Sequence, residues 1–179
     1  MVTMSTLICN LFCAAYVAAI PPDYDAVLER SAARWMPDYD WRWLKSQCWQ
    51  ESRFDPRAIS PAGARGLCQF MPGTWGEAQS VLGVRDVYNA RDNAWAAGWY
   101  MRRQLAIWTA ERTDLERLEL AQASYNAGAG NVLAAQRICA GNWPEISRCL
   151  HQVTGRHADE TRQYVTLIAR WYTELICQE

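Results

Sequence analysis

Apolar residues recur at helical spacing over most of this chain, and the last such stretch is the clearest. Tyr164, Val165, Ile168, Trp171, Tyr172 and Leu175 mark one face of a helix with a period of about 3.6 residues. A first helix is expected over Asp25 to Trp35, ended by Pro37. A second is expected over Trp41 to Glu51, with Leu44, Cys48 and Glu51 on one stripe. Thr74-Trp-Gly-Glu77 reads as a capping box opening a helix that Gly83 stops. Another helix, Asn93 to Trp108, carries Trp95, Trp99, Leu105 and Trp108. Thr113-Asp-Leu-Glu116 is a second capping box, and its helix runs into Tyr125-Asn126-Ala127-Gly128. Short helices are expected over Asn131 to Ala140 and Trp143 to Val153. No strand-like alternation, internal repeat or low-complexity linker is visible, so the expected class is all-α.

The interruption in this pattern is chemically informative. From Ser52 to Trp75, Pro and Gly recur beside Gln, Ser and Met, which reads as an irregular, turn-rich segment. Glu51 stands immediately before it and continues an apolar stripe. A carboxylate in that position loses water, and desolvation favours the protonated form. A carboxylic acid still protonated near neutral pH can deliver a proton to a leaving group. Asp55 is followed by Pro56 and reads as a turn start rather than a second acid.

Composition narrows the classes. A chain of 179 residues suits one domain with a sizeable core. Ten Trp and eight Tyr are many for that length; most belong in a core, and a few are candidates to line a groove. Net charge is −1, from 18 basic and 19 acidic residues without a basic stripe, which argues against nucleic acid as a partner. Residues 1–22 carry no charged side chain, and Met4 to Ile20 is a short apolar run. It suits a signal peptide, with Val17-Ala18-Ala19 as a small-residue cleavage site, or an uncleaved anchor as the one point of membrane contact. The expected division is that segment followed by a catalytic domain over residues 23–179. Seven cysteines cannot all pair internally. Cys139 and Cys149 bracket a turn-containing loop that a disulfide would close. No Cys-x-x-Cys or His-containing cluster occurs, and His151 and His157 are the only histidines, so no metal site is expected.

Four ordered motifs carry a resemblance. Glu51-Ser52, Gly66-Leu67-Cys68-Gln69, Ser124-Tyr125-Asn126-Ala127-Gly128 and Glu160-Thr161-Arg162-Gln163-Tyr164-Val165 resemble the catalytic core of the soluble lytic transglycosylases, bacterial and phage enzymes that cleave peptidoglycan. The similarity runs from about Tyr24 to Tyr172. Two positions depart from the family pattern: Cys68 stands where Met is usual, and Ser124 where Ala is usual. The resemblance implies a single-domain, lysozyme-like all-α fold that brings Cys48 and Cys68 close, as a disulfide or as two small buried hydrophobes. Either disulfide would imply an oxidising, extracytoplasmic compartment.

The resemblance also implies the chemistry. Glu51 would protonate the departing oxygen of the MurNAc–GlcNAc β-1,4 bond. It would then take the proton of the C6 hydroxyl as that group closes a 1,6-anhydro ring, with no cofactor. Ser60, Gln69, Met71, Tyr125, Asn126, Glu160 and Tyr164 match positions that line the groove, with the Tyr125 phenol donating a hydrogen bond near the reacting sugar. Bland roles compete at each: Ser60-Pro61 as a turn start, Gln69 as a backbone tie, Met71 as core filler, Glu160 as a helix-start carboxylate. The partner implied is the peptidoglycan glycan strand, in the periplasm or in a phage virion, with secretion, conjugation or virion assembly as settings. Two rivals follow. A hydrolytic muramidase of goose-lysozyme type needs a second carboxylate roughly 6.5–9.5 Å from the first, and Asp55, Glu77, Asp86 and Asp92 are the candidates. A virion or secretion-apparatus component would keep the fold for a structural role.

Overall fold

α-Helices carry all the regular secondary structure among residues 20–177, those described by the computed structural model. In chain order they are α1 (Asp25–Trp35), α2 (Arg42–Ser52), α3 (Pro72–Leu82), α4 (Ala90–Leu105), α5 (Asp114–Ala127), α6 (Ala129–Ile138), α7 (Trp143–Cys149), α8 (His151–Thr154) and α9 (His157–Ile176). The all-α class expected from periodicity is the observed one. Residues 1–19, which hold most of the expected leader or anchor, lie outside the described residues. No helix among those described is long and apolar enough to cross a membrane.

Helix ends with a strong local signal fall where expected. Thr113 Oγ1 accepts from the Glu116 N–H while the Glu116 carboxylate accepts from the Thr113 N–H, so the capping box of α5 is complete. Gly83, at φ 72°, ends α3 in the left-handed conformation. Two starts differ. α3 begins at Pro72, whose fixed φ suits the first helical position, so Thr74 lies inside the helix and caps nothing. α4 begins at Ala90 because the Asn89 side chain accepts from the N–H groups of Arg91 and Asp92, and it ends at Leu105 rather than Trp108. The expected Trp143 to Val153 helix is two short pieces, α7 and α8.

α5 runs through the middle of the molecule and packs against α4, α6, α7 and α9, while α1 and α2 close the flank against α4 and α9. Its buried residues include Leu118, Leu120, Ala121 and Ala123, small or branched groups that permit close approach on several sides. Ser124, where the family resemblance calls for Ala, has a structural reason: its Oγ accepts from the fully buried Trp108 indole at 3.2 Å and donates to the Leu120 carbonyl at 2.7 Å. α1 meets α4 at Gly98, where a Cβ would lie 2.4 Å from Ser31 Oγ; that hydroxyl instead donates to the Ala94 carbonyl at 2.8 Å.

The seam between α2 and α9 positions the candidate acid. Trp43 stacks on Tyr172 with ring centroids 3.8 Å apart, the Trp171 indole donates to Gln50 Oε1 at 2.9 Å, and Tyr164 reaches Glu51 at the C-terminal end of α2. The apolar stripe read from α9 is therefore what holds the acid-bearing helix in register.

Candidate active site

Glu51 sits in the last turn of α2, one turn after Cys48, and its surroundings explain its state. It retains part of its surface toward a groove but lies deep in the molecule. Burial pushes its carboxyl up from 4.5 to about 8. The Tyr164 hydroxyl, donating to Oε1 at 2.5 Å, pulls the other way, and the nearby Glu160 charge adds to the rise. The acid is thus predominantly protonated at neutral pH, as the apolar stripe suggested. The Tyr125 and Tyr164 phenols are themselves pushed well above their ordinary range, first by burial and then by the Glu51 charge. Neither supplies an anion at working pH.

The irregular segment after α2 is built on unusual backbone. Arg53 (φ 57°) and Phe54 (φ 63°) turn the chain sharply out of the helix, and Gln69 (φ 53°) turns it back before α3. Left-handed conformations at non-glycine residues cost about 1–3 kcal/mol each and persist only where the surroundings enforce them. The enforcement is visible. Ser52 Oγ donates to the Leu67 carbonyl at 2.7 Å, and the Cys68 N–H donates to Asn93 Oδ1 at 2.8 Å. The Tyr125 hydroxyl donates to the Cys68 carbonyl at 2.7 Å, and the Cys48–Cys68 disulfide joins the segment to α2. Gly66, at φ 79°, could carry no side chain: a Cβ would meet the Val87 carbonyl oxygen at 2.2 Å.

A groove of about 470 Å³ opens above Glu51. It is lined by Glu51 and by all seven residues expected beside it: Ser60, Gln69, Met71, Tyr125, Asn126, Glu160 and Tyr164. Several of these are already engaged. Ser60 Oγ accepts from the Ala64 N–H at 3.0 Å, tightening the turn that forms one lip. Gln69 Nε2 donates to the Gly66 carbonyl at 2.9 Å, so this side chain serves the loop as well as facing the groove. Asn126 Oδ1 accepts from Thr161 Oγ1 at 2.7 Å, tying the end of α5 to the start of α9. Tyr125 differs from expectation, because its hydroxyl hydrogen is committed to Cys68 and only its lone pairs remain. Met71, 46% exposed, is groove lining rather than core.

Sequence reasoning missed Gln50, Ala62, Ala64, Gln163 and Leu167, which also line the groove. Gln163 and Leu167 lie three and seven residues after Glu160, the same helical face, so periodicity could have found them. Of the described Trp and Tyr rings, only Tyr125 and Tyr164 line the groove, and none of the ten Trp does. They pack in or against the core, as Trp75, Trp99, Trp108, Trp143 and Trp171 do, with Trp35, Trp41, Trp43, Trp49 and Trp95 partly buried around it.

The four carboxylates that a hydrolytic mechanism would draw on are occupied away from the groove. Asp55 accepts from the Arg57 N–H at 2.8 Å, and Glu77 pairs with Arg103 at 2.5 Å. Asp86 accepts from the Tyr88 N–H at 2.9 Å, and Asp92 from the Arg85 N–H at 2.8 Å. Glu160, strongly exposed and 3.6 Å from His157, is the second carboxylate of the groove. Among the described residues no group of His, Cys, Asp and Glu could hold a metal ion.

Known proteins resemble this chain in sequence and in fold. The sequence profile of the family described as the transglycosylase SLT domain matches residues 30–141. The chain is 30% identical to a membrane-bound lytic murein transglycosylase F of Aliivibrio fischeri, covering 85% of this chain and 35% of that protein. It is 29% identical to the protein of the same name in Vibrio cholerae, covering 83% and 32%. The chain thus spans about a third of the length of these curated relatives. Among solved structures, an inactive mutant of the lytic transglycosylase Slt from Pseudomonas aeruginosa superposes with TM-score 0.68 at 26% identity, over 86% of this chain and 24% of that one. The 70 kDa soluble lytic transglycosylase of Escherichia coli gives 0.64 at 22% identity, over 88% and 25%, a likeness of fold. The architecture is the lysozyme-like all-α fold of those domains.

Proposed function

The chain belongs to the transglycosylase SLT domain family, and from that premise we propose that it is a peptidoglycan lytic transglycosylase in which Glu51 is the single acid and base. The observation that carries this reading is a desolvated carboxyl, its pKa pushed up by burial, at the floor of a groove whose lining matches the family motifs. Tyr164 holds Oε1, which leaves Oε2 to carry the acid proton. That proton goes to the glycosidic oxygen between MurNAc and GlcNAc as the bond breaks, a step for which positioned acid catalysis contributes about 10²–10⁴-fold. Glu51, now a carboxylate, takes the proton of the C6 hydroxyl while that oxygen attacks the anomeric carbon. The products are a GlcNAc-ended strand and a 1,6-anhydroMurNAc end, and the acid is regenerated without water.

The remaining groove residues bind and orient. Tyr125, whose hydroxyl donates to the Cys68 carbonyl, has oxygen lone pairs to offer developing positive charge at the anomeric carbon. Ser60, Gln69, Asn126 and Glu160 offer polar contacts to sugar hydroxyl and amide groups, and Met71 offers an apolar one. Asp55, Glu77, Asp86 and Asp92 are engaged outside the groove, which leaves Glu160, among the described residues, as the one further groove carboxylate on which the hydrolytic alternative would rest. The disulfides Cys48–Cys68 and Cys139–Cys149 fit action outside the cytoplasm. The test is Glu51→Gln: the variant should fold and bind isolated sacculi yet fail to solubilise them. Lysis at the wild-type rate would refute the assignment.

A further inference from the structure

Cys68, where the family resemblance calls for Met, lies at a junction of three elements. Its N–H donates to Asn93 of α4, its carbonyl accepts the only hydroxyl hydrogen of Tyr125 from α5, and its sulfur is bonded to Cys48 of α2. Cys48 is one helical turn before Glu51, and the two cysteine Cα atoms are 4.4 Å apart. Both residues are fully buried. A continuous path therefore runs from the acid through one turn of helix, a covalent bridge and a 2.7 Å hydrogen bond to the Tyr125 phenol, which lines the same groove as Glu51.

We propose that the Cys48–Cys68 disulfide is a positioning element of the active site, setting the Tyr125 hydroxyl relative to Glu51, so that turnover and not stability alone depends on it. The inference rests on the transglycosylase reading above. Without the bridge, the Ser52–Leu67 and Asn93–Cys68 hydrogen bonds still attach the segment to α2 and α4. The fold is then retained while the Cys68 carbonyl gains freedom relative to α2. A misplacement of about 1 Å at a reacting centre costs up to about 10²-fold in rate, so a small drift of the phenol is sufficient. The Cys139–Cys149 bridge, between the end of α6 and the end of α7, does not line the groove and provides the control.

The experiment compares wild type, Cys48→Ala/Cys68→Met, Cys48→Ala/Cys68→Ala and Cys139→Ser/Cys149→Ser on purified glycan strands. All are assayed well below their melting temperatures, with the folded fraction checked by circular dichroism. The expected result is a kcat lowered about tenfold or more in both Cys48/Cys68 variants, with KM changed less than about twofold. The Cys139/Cys149 variant keeps its kcat despite a lower melting temperature. A kcat within about twofold of wild type in the folded Cys48/Cys68 variants overturns the inference. So does failure of both to fold, which makes the bridge structural only. Wild-type protein that releases no glycan fragments refutes the function itself, whereas an active enzyme indifferent to the bridge refutes this inference alone.

Discussion

The Tyr164 hydroxyl donates to Glu51 Oε1 at 2.5 Å across the α2–α9 seam, joining residues 113 positions apart. This bond stabilises the carboxylate more than the acid, and so opposes the effect of burial on the same group. Tyr164→Phe should therefore raise the Glu51 pKa above about 8 and move the alkaline limb of the kcat/KM profile to higher pH. The rate on the plateau should fall, because the acid loses the contact that orients it. An alkaline limb that moves to lower pH would contradict the assignment of the bond.

Stability and catalysis are opposed at Glu51. The folded state holds a proton with a pKa of about 8, against 4.5 for the exposed group. The stabilising contribution of that proton is complete below pH 4.5 and is lost as pH rises through about 8. Glu51→Gln removes the titration. The variant should gain stability relative to wild type steadily across that window, by at most a few kcal/mol at its alkaline end. Parallel denaturation midpoints for the two proteins from pH 4 to pH 9 would contradict the buried acid.

Asn93 supports the loop beneath the groove from inside the core. Its Oδ1 accepts from Cys68 and its Nδ2 donates to the Val87 carbonyl, both at 2.8 Å. Asn93→Ala leaves two buried backbone groups unpaired and should cost about 2–4 kcal/mol in urea unfolding. A cost below 0.5 kcal/mol would mean that the loop is held by other contacts.

The Lys45–Asp25 pair, 2.6 Å apart, should respond asymmetrically to substitution. The Lys45 side chain is 4% exposed and Asp25, in the first turn of α1, is 31% exposed. Asp25→Ala strands a buried ammonium and should cost about 2–4 kcal/mol. Lys45→Met leaves Asp25 Oδ1 buried without a partner while the rest of the carboxylate keeps water and a helix N-terminus nearby, and should cost less, about 1–2 kcal/mol. Equal losses would argue that the pair is not buried as described.

The legible part of this molecule is the part whose signal is local. Asp25 to Trp35, the Thr113 capping box, the Gly83 stop and the α9 stripe each carry their cause within a few residues, and each falls where expected. Asn89 gives no periodic signal as the start of α4 because its capping role depends on backbone geometry, and Thr74 mimics a start already made by Pro72. At the site, Glu51 and the motif residues were legible because their chemistry is distinctive. Ala62 and Ala64 carry no chemical signature, and only the fold brings them to the groove. The commitment of Tyr125 to the Cys68 carbonyl was not legible either, since it depends on a contact spanning 57 positions.

The most direct test is the mass of the fragments released from purified sacculi. A lone acid and base working without water predicts that every new muramic acid end is the 1,6-anhydro form, one water lighter than a reducing end, and that Glu51→Gln abolishes its release. Reducing MurNAc ends as the major product would contradict the account and point to Glu160 as the carboxylate that holds an attacking water.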